Sequence, residues 1–197
     1  MLLLLTSMIA LGLIGGYLAG GSLAGLKDIE LRGIAILFGA LAVAFLPLIF
    51  DSLLPHRRVF QLITFAGVLL FLAVNLWTSR GEIRFGMLVI TSGWALNFIV
   101  IATNGGMPLS RWAYRSSGQT TRITLGSGGF YRIVRLGPTT HLARLGDVIP
   151  IRAFQVVVSI GDIFLLLGAS IVIAAAMRAK RRGHDEAQAR VEQTTHH

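Results

Sequence analysis

The stretch VVVSIGDIFLLLGASIVIAAA, Val156–Ala176, carries a single charged residue, Asp162. It lies inside an apolar run from Ile151 to Met177, the length a helix needs to cross about 30 Å of hydrocarbon. A carboxylate at membrane depth is costly unless it is protonated, paired or hydrated, so Asp162 marks a candidate site within a membrane span.

Reading outward, four further apolar segments emerge: Leu2–Gly20, Gly33–Phe50, Phe60–Trp77 and Phe85–Thr103. They lack the charged stripe of a helix lying on a soluble core. The fold class is therefore an all-α membrane protein, a bundle of about five transmembrane helices with one long basic loop. Residues 1–177 form the transmembrane domain, and residues 178–197 read as a charged, disordered tail. The first segment has no basic region before it and no small-residue cleavage site after it, which reads as a retained helix.

Composition supports this class. The 197 residues are 54% hydrophobic and 14% charged, with a mean hydropathy of +0.71; soluble domains carry about 25% charged residues. The absence of cysteine removes disulfides, thiolate metal sites and cysteine nucleophiles. A net charge of +9 would suggest nucleic acid in a soluble chain. Here the arginines flank apolar runs or occupy the loop of residues 104–150, so anionic lipid headgroups are the expected partners and nucleic acid is not. That loop holds seven arginines when Arg152 at its rim is counted. Five spans put the termini on opposite sides. The cluster Arg178–Arg182 directly after the last span favours a cytoplasmic C terminus and an external N terminus, with the long loop outside.

Polar residues within and beside the spans define the candidate site. Continued helix through Ile151–Met177 would place Arg152, Gln155, Ser159 and Asp162 on one face. On the fourth segment Asn97 and Asn104 lie one heptad apart, with Gly93 a turn back on the same face. Asn97 and Asp162 fall at similar depth, about 10 Å below the outer ends of their helices. Asp51, Asn104, Asp147, Gln155 and Ser159 also fall toward the outer half, which suggests an outward-facing polar pocket. Gly105 and Gly106 would let backbone approach a ligand, while Met107 and Pro108 follow in a stiffened turn. The plainer reading is that Asp162 and its partners join helices by hydrogen bonds.

Gly12, Gly16 and Gly20 form a ridge of small residues on the first helix, a signal for close helix packing. Trp77 and Phe60 suit the membrane interface, and Trp94 suits packing. All five histidines fall outside the spans, no metalloprotease or nucleotide-loop motif occurs, and neither a cofactor nor a metal is expected. GSGG at Gly126–Gly129 reads as a flexible turn. SIGD at Ser159–Asp162 looks a little like the G-x-G-D signature of intramembrane aspartyl proteases, but Ser159 replaces the first glycine and no second aspartate lies at depth. Aspartyl chemistry needs two carboxylates sharing a proton.

Three short motifs also carry a family resemblance. NGGMP at Asn104–Pro108, LGD at Leu145–Asp147 and SIGD at Ser159–Asp162, followed by Gly168, resemble an uncharacterised family of small bacterial multi-pass membrane proteins. The segment GGSLAGLKDIELRG, Gly20–Gly33, is similar in style to that family's first loop. The resemblance implies a bacterial membrane location and supplies no activity. The sequence thus points to a binding or scaffolding component that meets a lipid headgroup, a small ligand, a partner membrane protein or a second copy of itself. The alternative is a membrane enzyme or transporter component using Asp162 for proton or acid/base chemistry.

Overall fold

A computed structural model describes residues 2–119 and 132–195, and the chain is mostly helical. Helix α1 spans Leu2–Leu18, α2 Ile34–Ile49, α3 Arg57–Thr78 and α4 Gly81–Asn104. After α4 come strand β1 (Met107–Leu109), the short helix α5 (Arg111–Ser116) and strand β2 (Ile133–Arg135). Strands β3 (Ile149–Ile151) and β4 (Val156–Val158) precede α6, Ile160–Thr195. Among the described residues three apolar stretches are long enough to cross a membrane: Ser52–Thr78, Gly81–Asn104 and Ile160–Arg178. Ile9–Leu18 and Ile34–Pro47 are shorter apolar helices.

The bundle packs in the spatial order α2, α3, α4, α6, α1, with the most extensive contact between α4 and α6. Glycines explain that contact. Gly93 faces the Gly161 carbonyl, and Gly168 faces the Gly86 carbonyl, so two heptad-spaced pairs meet in antiparallel register. A β-carbon at Gly93 would lie 2.6 Å from the Gly161 oxygen, and one at Gly168 would lie 2.7 Å from the Ile90 nitrogen. Only hydrogen at these positions allows the two backbones to approach so closely.

On its other side α6 receives α1. Gly12 abuts Ser170 and Ile173, and Gly16 abuts Ala174 and Met177, so the two helices run parallel. Gly20 departs from the expected ridge. Helix α1 stops at Leu18, and Gly20 adopts φ +78. Its N–H bonds the Tyr17 carbonyl while the Gly21 N–H bonds the Gly16 carbonyl, a Schellman C-cap.

Two clusters fill the α2–α3–α4 interfaces. Ala40, Val68, Phe71 and Leu72 form one, and Phe65, Val100, Ile101 and Met107 form the other. Trp94 lies between them, stacked on Phe65 at 4.7 Å, and its indole N–H donates to the Phe65 carbonyl at 2.9 Å. Its role is packing. Trp77 is 86% exposed at the end of α3, in keeping with an interfacial position. At that same end Asn75 clamps the chain before α2: it accepts from the Arg32 N–H and donates to the Arg32 carbonyl, each at 2.9 Å. Glu82 and Arg178 form an ion pair between α4 and α6 there.

The expected fifth span requires correction. Helix α6 begins at Ile160, nine residues after Ile151, because Ile149–Ile151 and Val156–Val158 pair as an antiparallel hairpin. A run of three β-branched valines, together with Pro150, favours extended chain over a first helical turn. The tail read as disordered carries α6 on to Thr195, and its Ala-, Arg-, Glu- and Gln-rich composition favours helix. The GSGG turn at 126–129 and Arg122 in the long loop lie outside the described residues.

Candidate functional site

The residues of SIGD build the first turn of α6. Ser159 is the residue before the helix: its hydroxyl accepts from the Asp162 N–H at 3.0 Å, and its own N–H donates to Asp162 Oδ2 at 2.9 Å. This reciprocal pair is a capping box with Asp in the acidic position. A carboxylate there also meets the positive end of the helix dipole.

Asn97 of α4 closes the network. Its Nδ2 donates to Asp162 Oδ1 at 2.9 Å, and its Oδ1 accepts from the Ser159 hydroxyl at 2.9 Å. Both Asp162 oxygens therefore accept hydrogen bonds, and Asn97 and Ser159 are buried. Gly161 makes the junction possible, since a β-carbon there would collide with Asn97 Oδ1. The expected depth match between Asn97 and Asp162 thus becomes direct contact.

The rest of the predicted polar stripe does not join them. Gln155 sits in the turn between β3 and β4 at φ +50, and both it and Arg152 are exposed. Their spacing would place them beside Asp162 only in a continuous helix, and the hairpin interrupts that helix.

Asn104 also serves elsewhere. Its side chain donates to the His141 carbonyl and accepts from the His141 N–H, each at 2.9 Å, which ties the long loop to the end of α4. Gly105 caps α4 at φ +69. A β-carbon on Gly106 would strike the Arg132 carbonyl, and Met107–Leu109 pairs in parallel with Ile133–Arg135. Met107 and Pro108 are fully buried. The NGGMP motif is accordingly a helix stop followed by a buried strand.

The LGD motif docks onto that strand. The Asp147 N–H donates to the Pro108 carbonyl at 2.8 Å, and the Ser110 N–H donates to the Asp147 carbonyl at 3.0 Å. Gly146 permits the approach, because a β-carbon there would lie 2.6 Å from the Pro108 oxygen. The Asp147 side chain is only 7% exposed, and among the described residues its Oδ1 has no hydrogen-bond partner. Burial pushes this carboxyl up to about 8, and the neighbouring Asp162 charge adds to the rise. Asp147 thus keeps its proton to a higher pH than an ordinary carboxyl. The fold brings this carboxyl, which the sequence placed at a span end, within electrostatic reach of Asp162.

Chemically, the centre is a closed set of hydrogen bonds with one buried carboxyl of raised pKa beside it. Among the described residues no group of His, Cys, Asp or Glu has the arrangement of a metal site. Of the expected site residues, Gly105 lines a recess at this end of the bundle, whose other walls include Arg57, Arg58, Arg132 and Gln61. Gln61 escaped the sequence reading. One polar residue in an apolar helix was its only signal.

No curated protein and no solved structure matches the chain. A family model does, over residues 28–174. That stretch takes in the α4–α6 crossing, the strands and loops at its capped end and the Asn97–Ser159–Asp162 network, and with this coverage the chain belongs to the family of unknown function DUF5317.

Proposed function

We propose that the protein is a multi-pass binding or scaffolding component of a bacterial plasma membrane. In this reading five helices cross the bilayer, the N terminus is external, the C terminus is cytoplasmic, and the strand-and-loop cap faces outward. One observation carries the reading: Asn97, Ser159 and Asp162 satisfy one another. A group engaged in capping a helix and joining it to its neighbour is suited to hold a surface in place. The cap, tied down through Asn104 and Asp147, is the surface so held. The Arg178–Arg182 cluster supports the orientation. A phosphatase fusion at residue 197 should remain in the cytoplasm and show no periplasmic activity, and high periplasmic activity would reverse the topology.

A second reading has its own support. Asp147 is buried, raised to about 8 and electrostatically coupled to Asp162, as a proton-carrying pair would be. Purified protein in liposomes loaded with a pH-sensitive dye separates the two. The binding reading expects no proton flux above empty liposomes under an imposed pH gradient. Flux that Asp162→Asn or Asp147→Asn abolishes would replace it with a transport role.

A further inference from the structure

At the capped end, the first turn of α3, the end of α4 and the start of β2 enclose a recess of about 270 Å³. Arg57, Arg58 and Arg132 line it, and among the described residues no carboxylate does. Gln61 lines it as well. This side chain is only 7% exposed, and among the described residues its Nε2 has no hydrogen-bond partner. A buried amide N–H₂ left without an acceptor loses its hydration with nothing in return, so the group calls for an acceptor from outside the chain.

Arg58 is already oriented. Its Nη2 donates to the Ala102 carbonyl at 3.1 Å, and its guanidinium lies against Gly105, with Cζ 3.8 Å from where a β-carbon would stand. Anchoring one nitrogen on the last turn of α4 fixes the plane of the fork and leaves further N–H groups for a ligand. The absence of a side chain at Gly105 keeps that wall open.

We propose that this recess is a binding site for a phosphate-class anion. It rests on the binding reading above and gives it a ligand chemistry. The Gln61 amide and the guanidinium groups of Arg58 and Arg132 around one small volume suit a ligand with several acceptor oxygens. A tetrahedral phosphoryl group supplies them, and arginine forks match its geometry. The site lies where α3 begins and α4 ends, the level of phospholipid headgroups when these helices cross a bilayer. The phosphoryl group can belong to an anionic lipid or to a soluble phosphate.

The test uses full-length purified protein. Melting is measured in nanodiscs of phosphatidylcholine alone and of phosphatidylcholine with phosphatidylglycerol, and in detergent with and without inorganic phosphate. Gln61→Met keeps the size of the side chain and removes the donor. Arg132→Gln is the second variant, at an exposed position where folding is not at stake. Stabilisation by phosphatidylglycerol without a response to inorganic phosphate assigns the site to lipid, and the reverse assigns it to a soluble ligand. In either case both variants should weaken the response, with apparent affinity falling about tenfold or more. No response to either probe, or a response that both variants retain in full, overturns the site. Neither outcome alters the proton-flux result, so the anion site and the binding reading fail separately.

Discussion

Replacing Gly93 with alanine tests the contact on which the site is built. A β-carbon there would lie 2.6 Å from the Gly161 carbonyl oxygen, 2.8 Å from Phe164 Cβ and 2.9 Å from the Leu165 nitrogen. Two of these neighbours are backbone atoms, so no rotamer change relieves the overlap. Ordinary contact begins at 3.4 Å, and α4 and α6 would have to part by roughly 0.5–0.8 Å. A radial gap of that order forfeits about a quarter to a half of each dispersion contact along the seam. Overpacking of this kind costs roughly 2 kcal/mol. Asn97 lies one turn further along α4, so its bonds to Ser159 and Asp162 would lengthen, adding about 1 kcal/mol. At about 2–4 °C per kcal/mol for a chain of this size, melting in detergent should fall by roughly 6–12 °C. Gly39→Ala is the control, since a β-carbon there meets nothing within 4 Å; it should be neutral or stabilise by up to about 1 kcal/mol through helix propensity. The double variant Gly93→Ala with Asn97→Ala should lose less than the sum of its parts, because both act on one junction. A Gly93→Ala protein that melts with the parent, or a Gly39→Ala protein that falls as far, would refute the close-contact argument.

Asp147 sets a pH dependence. Its folded value of about 8 stands above the ordinary 3.8, so its contribution is fully present below about pH 4. It is lost as pH rises toward 8, because the unfolded chain ionises first. Melting of Asp147→Asn across pH 5–8 should therefore be flatter than that of the parent, and parallel curves would contradict the buried, protonated state. Ser159→Ala removes the helix cap, at about 1 kcal/mol, and leaves Asn97 Oδ1 without its donor, at about 1–3 kcal/mol more. Chemical denaturation should register a loss of roughly 2–4 kcal/mol, and a loss below 0.5 kcal/mol, the size of an ordinary surface substitution, would rule out the junction. Gly16→Leu should lower the melting temperature far more than Gly15→Leu, because a β-carbon at Gly16 lies 2.6 Å from the Met177 sulfur whereas Gly15 meets nothing within 4 Å. Equal effects would place both glycines toward lipid.

The helical membrane-type fold was legible because apolar length is a strong signal and three helices carry it in full. The meeting of Asn97 with Asp162 was legible as well, since depth along two antiparallel helices follows from rise per residue alone. The capping box was not recognised, although S-x-x-D before an apolar run is its signature. Unbroken hydropathy from Ile151 to Met177 hid the boundary it marks, because a buried strand and a buried helix are equally apolar. Gly86, Gly93, Gly161 and Gly168 escaped notice as a set because their heptad spacings lie on different helices and gain meaning only when the two are paired. Asp147 was placed in the polar pocket by the sequence, but its burial was not legible, because that depends on a strand bridge across 38 residues of chain, Leu109 to Asp147. The motifs NGGMP, LGD and SIGD, scattered through the sequence, meet at one end of the bundle. There the first stops α4 and starts β1, the second locks onto β1, and the third starts α6 against α4. Their shared work is to fix where two helices end, and the binding surface proposed for this end needs that rigidity beneath it.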